Sequence, residues 1–117
     1  MNDRELLEFA AKAAGISYDA EKSTPVDGRK WWGLWLSFVD EPGMYANRIW
    51  NPLADDGDAL RLAAKLKLNI RHGDFSVGVR DDAEIDDVAF VPDESHRLYA
   101  IRSAIVRAAA EIGKGMQ

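Results

Sequence analysis

The chain contains no cysteine. That excludes disulfides, thiol nucleophiles and zinc sites built on thiolates, and it suits a reducing, cytoplasmic setting. Histidine is nearly as scarce, with two residues, His72 and His96. The nine glycines form neither a phosphate loop nor a dinucleotide fingerprint. No cofactor is therefore expected. No apolar run reaches transmembrane length, and Asp3, Arg4 and Glu5 precede any apolar stretch, so neither a membrane span nor a signal peptide is expected. Positive charge is in deficit: 15 Lys and Arg against 20 Asp and Glu leave a net charge of −5. This balance disfavours general binding to nucleic acid or to anionic membrane, which need a positive field. It suits a protein that binds a basic surface.

What is present is enough apolar material for a core. The 117 residues are 47% hydrophobic, which predicts a single domain over residues 1–117. Residues 2–14 read as a helix capped by Asn2 with Glu5 at the reciprocal position, a Glu8–Lys12 pair, and Gly15 just past its end. Residues 16–30 carry turn chemistry, Ser23-Thr24-Pro25 and Asp27-Gly28, and predict a surface loop. Residues 31–39 are the strongest strand signal. Trp32, Leu34, Leu36 and Phe38 share one face; Trp31, Gly33, Trp35, Ser37 and Val39 share the other. Glu41-Pro42-Gly43 then predicts a turn, and Tyr45 to Trp50 a returning strand.

Trp50-Asn51-Pro52-Leu53-Ala54-Asp55-Asp56-Gly57-Asp58-Ala59-Leu60-Arg61-Leu62 joins that strand to a helix over about residues 56–66. Pro52 stops the strand. Asp55 stands where an N-cap belongs and Asp58 at the capping-box position. The three aspartates do not match a calcium loop, because the spacing leaves no bidentate Glu at the twelfth position. Next, Leu68-Asn69-Ile70-Arg71-His72 and Phe75-Ser76-Val77-Gly78-Val79-Arg80 predict a hairpin about a Gly73-Asp74 turn, with Leu68, Ile70, Phe75, Val77 and Val79 buried on one side. Asp81, Asp82, Glu84, Asp86 and Asp87 make an acidic stretch, Val88 to Val91 a last strand stopped by Pro92. Asp93 or Ser95 caps a final helix with a Leu98, Ile101, Ile105, Ala108, Ile112 stripe, ended by Gly113.

The run Asn51 to Leu62 resembles the signature of the phage ABA-sandwich domain family, small proteins of phages and prophages. Ala104-Ile105-Val106-Arg107-Ala108-Ala109-Ala110-Glu111-Ile112-Gly113 is similar to a second family segment, and Glu5-Leu6-Leu7 through Ala10-Ala11-Lys12-Ala13-Ala14-Gly15 to a third. Their order and spacing extend the resemblance over nearly the whole chain. It implies an α/β/α layered domain of phage origin. It implies no activity and carries over no functional residue.

The fold expected is therefore α+β: a three-layer α/β/α sandwich with a mainly antiparallel sheet of four to five strands and three helices. The function expected is a non-enzymatic accessory protein in the host cytoplasm that binds a host or phage protein, without membrane association. Its candidate contacts are Trp31, Trp35, Asp81, Asp82, Glu84, Asp86 and Asp87, because exposed aromatics mark interfaces. Packing of Trp31 and Trp35 in the core is the competing reading, and self-association through the aromatic strand stays open. One alternative is a metal-dependent or hydrolytic enzyme using His72, His96 and the aspartates. Asp93, Ser95 and His96 make a triad only on paper, since near neighbours on one helix do not face each other. Another is nucleic-acid binding by Arg97, Arg102 and Arg107 with Trp31 or Tyr99 as a stacking platform.

Overall fold

The computed structural model describes residues 1–24, 33–36, 48–83 and 85–116. The order of elements is α1 (Asp3–Ala14), β1 (Leu34–Leu36), β2 (Arg48–Trp50), α2 (Asp56–Lys65), β3 (Asn69–His72), β4 (Ser76–Arg80), β5 (Asp86–Phe90), a 3-10 turn (Glu94–His96) and α3 (Arg97–Gly115). This is the expected succession of helix, two strands, helix, three strands, helix. Among the described residues the five strands form two antiparallel sheets, β1-β2 and β3-β4-β5, where one sheet was expected.

Helix α1 begins as its sequence dictates. Asn2 accepts from the Glu5 N–H at 2.8 Å, the Glu5 side chain reaches back to the Asn2 N–H, and Gly15 takes the left-handed conformation at φ 68°. The expected Glu8–Lys12 pair does not form. Arg4 and the Tyr18 hydroxyl engage Glu8 instead, and Lys12 donates to the Met116 carbonyl.

Helix α3 is the hub, packed against α1, α2, β4 and β5. Its buried residues, Ala100, Ala104, Ile105, Val106, Ala108, Ala109, Ala110 and Gly113, wrap most of its circumference because α1 covers one side and the sheet another. The expected stripe is corrected at its start, since Leu98 is exposed. Gly113 does not end the helix, which runs on to Gly115. A Cβ on Gly113 would lie 1.9 Å from the Phe9 carbonyl oxygen, so Gly113 marks where the α1 backbone crosses α3. Small residues from both helices (Ala10, Ala11, Ala14 with Ala104, Ala108) allow that approach.

The central run is explained by one buried carboxylate. Asp55 caps α2, accepting from the Asp58 N–H at 2.8 Å. Asp58 does not complete a capping box; its carboxylate is turned inward and nearly fully buried. It accepts from the Asn51 N–H at 3.0 Å, from Arg61 at 2.9 Å and from both terminal nitrogens of Arg48. Burial alone would push this carboxyl up; the bonds from Arg48, Asn51 and Arg61 overcome that and hold it below the usual carboxylate range. Strand β2, the Asn51-Pro52 turn and α2 are thus tied at one point.

In the small sheet Leu34 pairs with Trp50 and Leu36 with Arg48, and Leu34, Leu36 and Trp50 are buried. The Glu41-Pro42-Gly43 turn lies outside the described residues. Part of the expected surface loop packs on β1. Asp19 forms an antiparallel bridge to Trp35, and Ser23, itself buried, accepts from the Trp35 N–H at 2.8 Å.

The second hairpin forms with a shifted register. Ile70 pairs with Val79 and His72 with Val77, and the Gly73 N–H donates to the Ser76 carbonyl at 2.8 Å. The turn is therefore Asp74-Phe75, not Gly73-Asp74, and Phe75 is exposed at its tip. Such a shift moves the pairing by two residues and leaves the paired strand residues on their expected faces, so apolar alternation cannot distinguish the two registers; Phe75, expected to be buried, falls in the turn and is exposed. Strand β5 starts at Asp86, two residues inside the acidic stretch.

Candidate functional site

Strands β3-β4-β5 have one face on α3 and one face to solvent. Val77, Val79 and Ala89 point inward and are buried. The alternate residues, Asn69, Arg71, Ser76, Gly78, Arg80, Asp86, Val88 and Phe90, form the outer face. Two apolar side chains stand open there: Val88 is 61% and Phe90 73% exposed. Cross-strand pairing fixes the rows. Arg71, Gly78 and Val88 lie in one row, Asn69, Arg80 and Asp86 in the next, and Ser76 stands beside Phe90. The missing side chain at Gly78 leaves a depression of about 270 Å³ lined by Arg71, His72, Gly73, Ser76, Gly78 and Val88. A second hollow of about 360 Å³ is bordered by Asn69, Arg80, Asp81, Asp82, Ile85 and Asp86.

The acidic stretch divides by role. Asp81 closes a turn, accepting from the Ala83 and Ile85 N–H groups at 3.0 Å each. Asp82 and Asp86 are exposed, and Glu84 lies outside the described residues. Asp87 points the other way, toward α3, where it meets Glu111 and Arg107. Burial pushes the Asp87 carboxyl up, against the pull of Arg107. Burial, then the charge of Asp87, pushes Glu111 up as well. Two carboxyls this close do not ionise independently, so one of them holds its proton more readily than an isolated carboxyl.

Trp31 lies outside the described residues. Trp35 is half-buried, with Lys22 Nζ 5.9 Å from its ring centre.

The two histidines sit at different turns and do separate work. Arg97 donates to His72 Nδ1 at 3.1 Å, to the Gly73 carbonyl at 2.9 Å, to the Asp74 carbonyl at 3.2 Å and to both Glu94 oxygens. It clamps the β3-β4 turn onto the start of α3. The hydrogen bond from Arg97 holds Glu94 below the usual range. Asp93, Ser95 and His96 do meet, contrary to the sequence argument, because they sit on a 3-10 turn and not on a regular helix. Asp93 Oδ1 accepts from the Ser95 hydroxyl and N–H and lies 3.0 Å from His96 Nδ1. The bonds from Ser95 and then His96 depress the Asp93 carboxyl. The Ser95 hydroxyl also lies 3.3 Å from His96 Nδ1, but its closer partner is the Asp93 carboxylate, which accepts its hydrogen bond, so the hydroxyl is not set up as a nucleophile with His96 as its base, and the group is open to water. Among the described residues no three His, Asp or Glu side chains are placed to hold a metal ion.

Sequence reasoning missed the outer sheet face. Its signal was present: apolar residues at alternate positions with a glycine and arginines between them, which marks a sheet packed on one side only. No protein-family model, curated protein or solved structure matches the chain.

Proposed function

We propose that this chain is a non-enzymatic phage or prophage accessory protein of the host cytoplasm that binds a protein partner through the outer face of β3-β4-β5. The observation that carries the reading is the exposure of Val88 and Phe90 side by side on a sheet face whose centre is a depression. Apolar groups held open on a rigid sheet gain free energy when a partner covers them. Exposed Asp82 and Asp86 at one end supply a polar rim. Phage origin belongs to the same proposal and rests on the resemblance of residues 51–62. No helix among the described residues is long and apolar enough to cross a membrane, which is compatible with the setting proposed.

The test is affinity capture from host lysate, with and without nuclease, comparing the wild type with Phe90→Asp. Phe90 faces solvent, so the variant should fold normally. A nuclease-resistant partner that is lost in the variant supports the reading. A partner retained by Phe90→Asp, or released by nuclease, counts against it.

A further inference from the structure

Gly78 occupies the middle of the central strand of a three-stranded sheet. Glycine is a poor choice there, because it contributes no packing and loses the most backbone freedom on folding. Among the described residues no close approach requires it. A Cβ on Gly78 would meet no atom within 4 Å, whereas one on Gly33 would meet the Trp50 carbonyl at 2.6 Å. The space over Gly78 is open, and its two cross-strand neighbours, Arg71 and Val88, form its walls.

The charges around that space are uneven. Arg71 lies across from Gly78 and in line with Val88, with no acidic residue in its row and none lining the depression. Among the described residues it has no ion-pair partner. Arg80, one row along, faces Asp86 directly, and Asp81 and Asp82 border the hollow beside it. The outer face thus has a cationic and apolar end, at Arg71, Val88 and Phe90, and an acidic end, at Asp82 and Asp86.

On this reading of the outer face as a partner-binding surface, we propose that the Gly78 depression binds an extended acidic segment of the partner protein. A carboxylate of the segment pairs with Arg71, and an adjacent apolar side chain fills the space over Gly78 against Val88. Arginine suits this role because its planar fork matches a carboxylate. The same charge asymmetry sets the direction of the segment, with neutral or basic residues toward Asp82 and Asp86. A nucleic acid strand fits less well, since a run of phosphates along the face would meet those carboxylates.

The experiment selects binders for the immobilised full chain from a library of randomised 12-residue peptides. The selected peptides are then measured against Gly78→Val and Arg71→Glu, and a 12-nucleotide oligouridine is the competing probe. The expected result is enrichment of Asp or Glu beside an aromatic or aliphatic residue. Binding should fall at least tenfold in each variant and weaken with added salt. Gly78→Val should fold with an unchanged or higher thermal midpoint, because it adds a strand-favouring side chain into open space. If it fails to fold, Gly78→Ala and Arg71→Glu carry the same test. Absence of any selected sequence, selection of basic peptides, binding that survives Gly78→Val, or preferential binding of oligouridine would each overturn the proposal. A lysate partner lost in Phe90→Asp but kept by Gly78→Val and Arg71→Glu would overturn it while leaving the binding role in place.

Discussion

Gly113→Ala separates helix propensity from tertiary packing by the sign of its effect. Gly113 lies inside α3, two residues before its end. On propensity alone, replacing a helical glycine with alanine gains about 1 kcal/mol. The packing argues the reverse. The new Cβ would sit 1.9 Å from the Phe9 carbonyl oxygen and 2.7 Å from its carbon, both backbone atoms of α1. An ordinary non-bonded contact is about 3.5 Å, so α1 must retreat by roughly 1.5 Å along its contact with α3. That opens the Ala10, Ala11 and Ala104 contacts, and overpacking of this kind costs about 1–3 kcal/mol before those losses are added. The net expectation is destabilisation of at least about 2 kcal/mol, or a fall in thermal midpoint of roughly 8 °C for a chain of this size. Urea denaturation followed by far-UV circular dichroism reads the change directly. Gly115→Ala is the control, because its Cβ would meet nothing within 4 Å. A Gly113→Ala variant as stable as the wild type, or more so, would refute the close crossing of α1 and α3.

Removing the buried carboxylate in Asp58→Ala should cost about 2–4 kcal/mol, since it strands Arg48, Arg61 and the Asn51 N–H, and denaturation at pH 7 measures it. The Asp58 carboxyl is depressed in the folded state, so its contribution is present above the ordinary carboxylate range and is lost as pH falls through the folded value. An Asp58→Asn variant should flatten the acid limb of the stability profile. Asp87 and Glu111 act with the opposite sign. Both carboxyls are raised in the folded state, so their contribution is full below the unfolded value and declines as pH rises through the folded one. Glu111→Gln should therefore raise stability at pH 7 and leave it nearly unchanged at pH 4, which thermal melts at the two pH values would show. Arg97→Met should release the β3-β4 turn, seen as faster amide exchange at Gly73 and Asp74 with little change in the core.

Local chemistry made much of this fold legible. Asn2, Gly15 and Asp55 cap where their side chains and positions in the sequence predict, Asp93 caps the 3-10 turn before α3 rather than α3 itself, and the succession of helices and strands follows from apolar periodicity. What was not legible depended on which element meets which. Gly113 reads as a stop signal until α1 is known to cross there. Asp58 reads as a capping residue until β2 brings Arg48 to it from ten positions earlier. The hairpin register was ambiguous because a shift of two preserves the faces. The site was less legible still. Acidic residues adjacent in sequence divide by strand parity, so Asp87 points to α3 while Asp86 faces solvent. The alternation in β4 marks a one-sided sheet, but which neighbours Gly78 has on its open side follows only from the pairing of β4 with β3 and β5.

The most direct test of that face is amide chemical-shift mapping of the ¹⁵N-labelled full chain with the partner recovered by affinity capture. The account predicts perturbations concentrated at Asn69, Arg71, Ser76, Gly78, Arg80, Val88 and Phe90, with α1 and the Asp93–His96 turn unaffected. Perturbations confined to α2, α1 or the 3-10 turn, with the outer face of β3-β4-β5 silent, would contradict it.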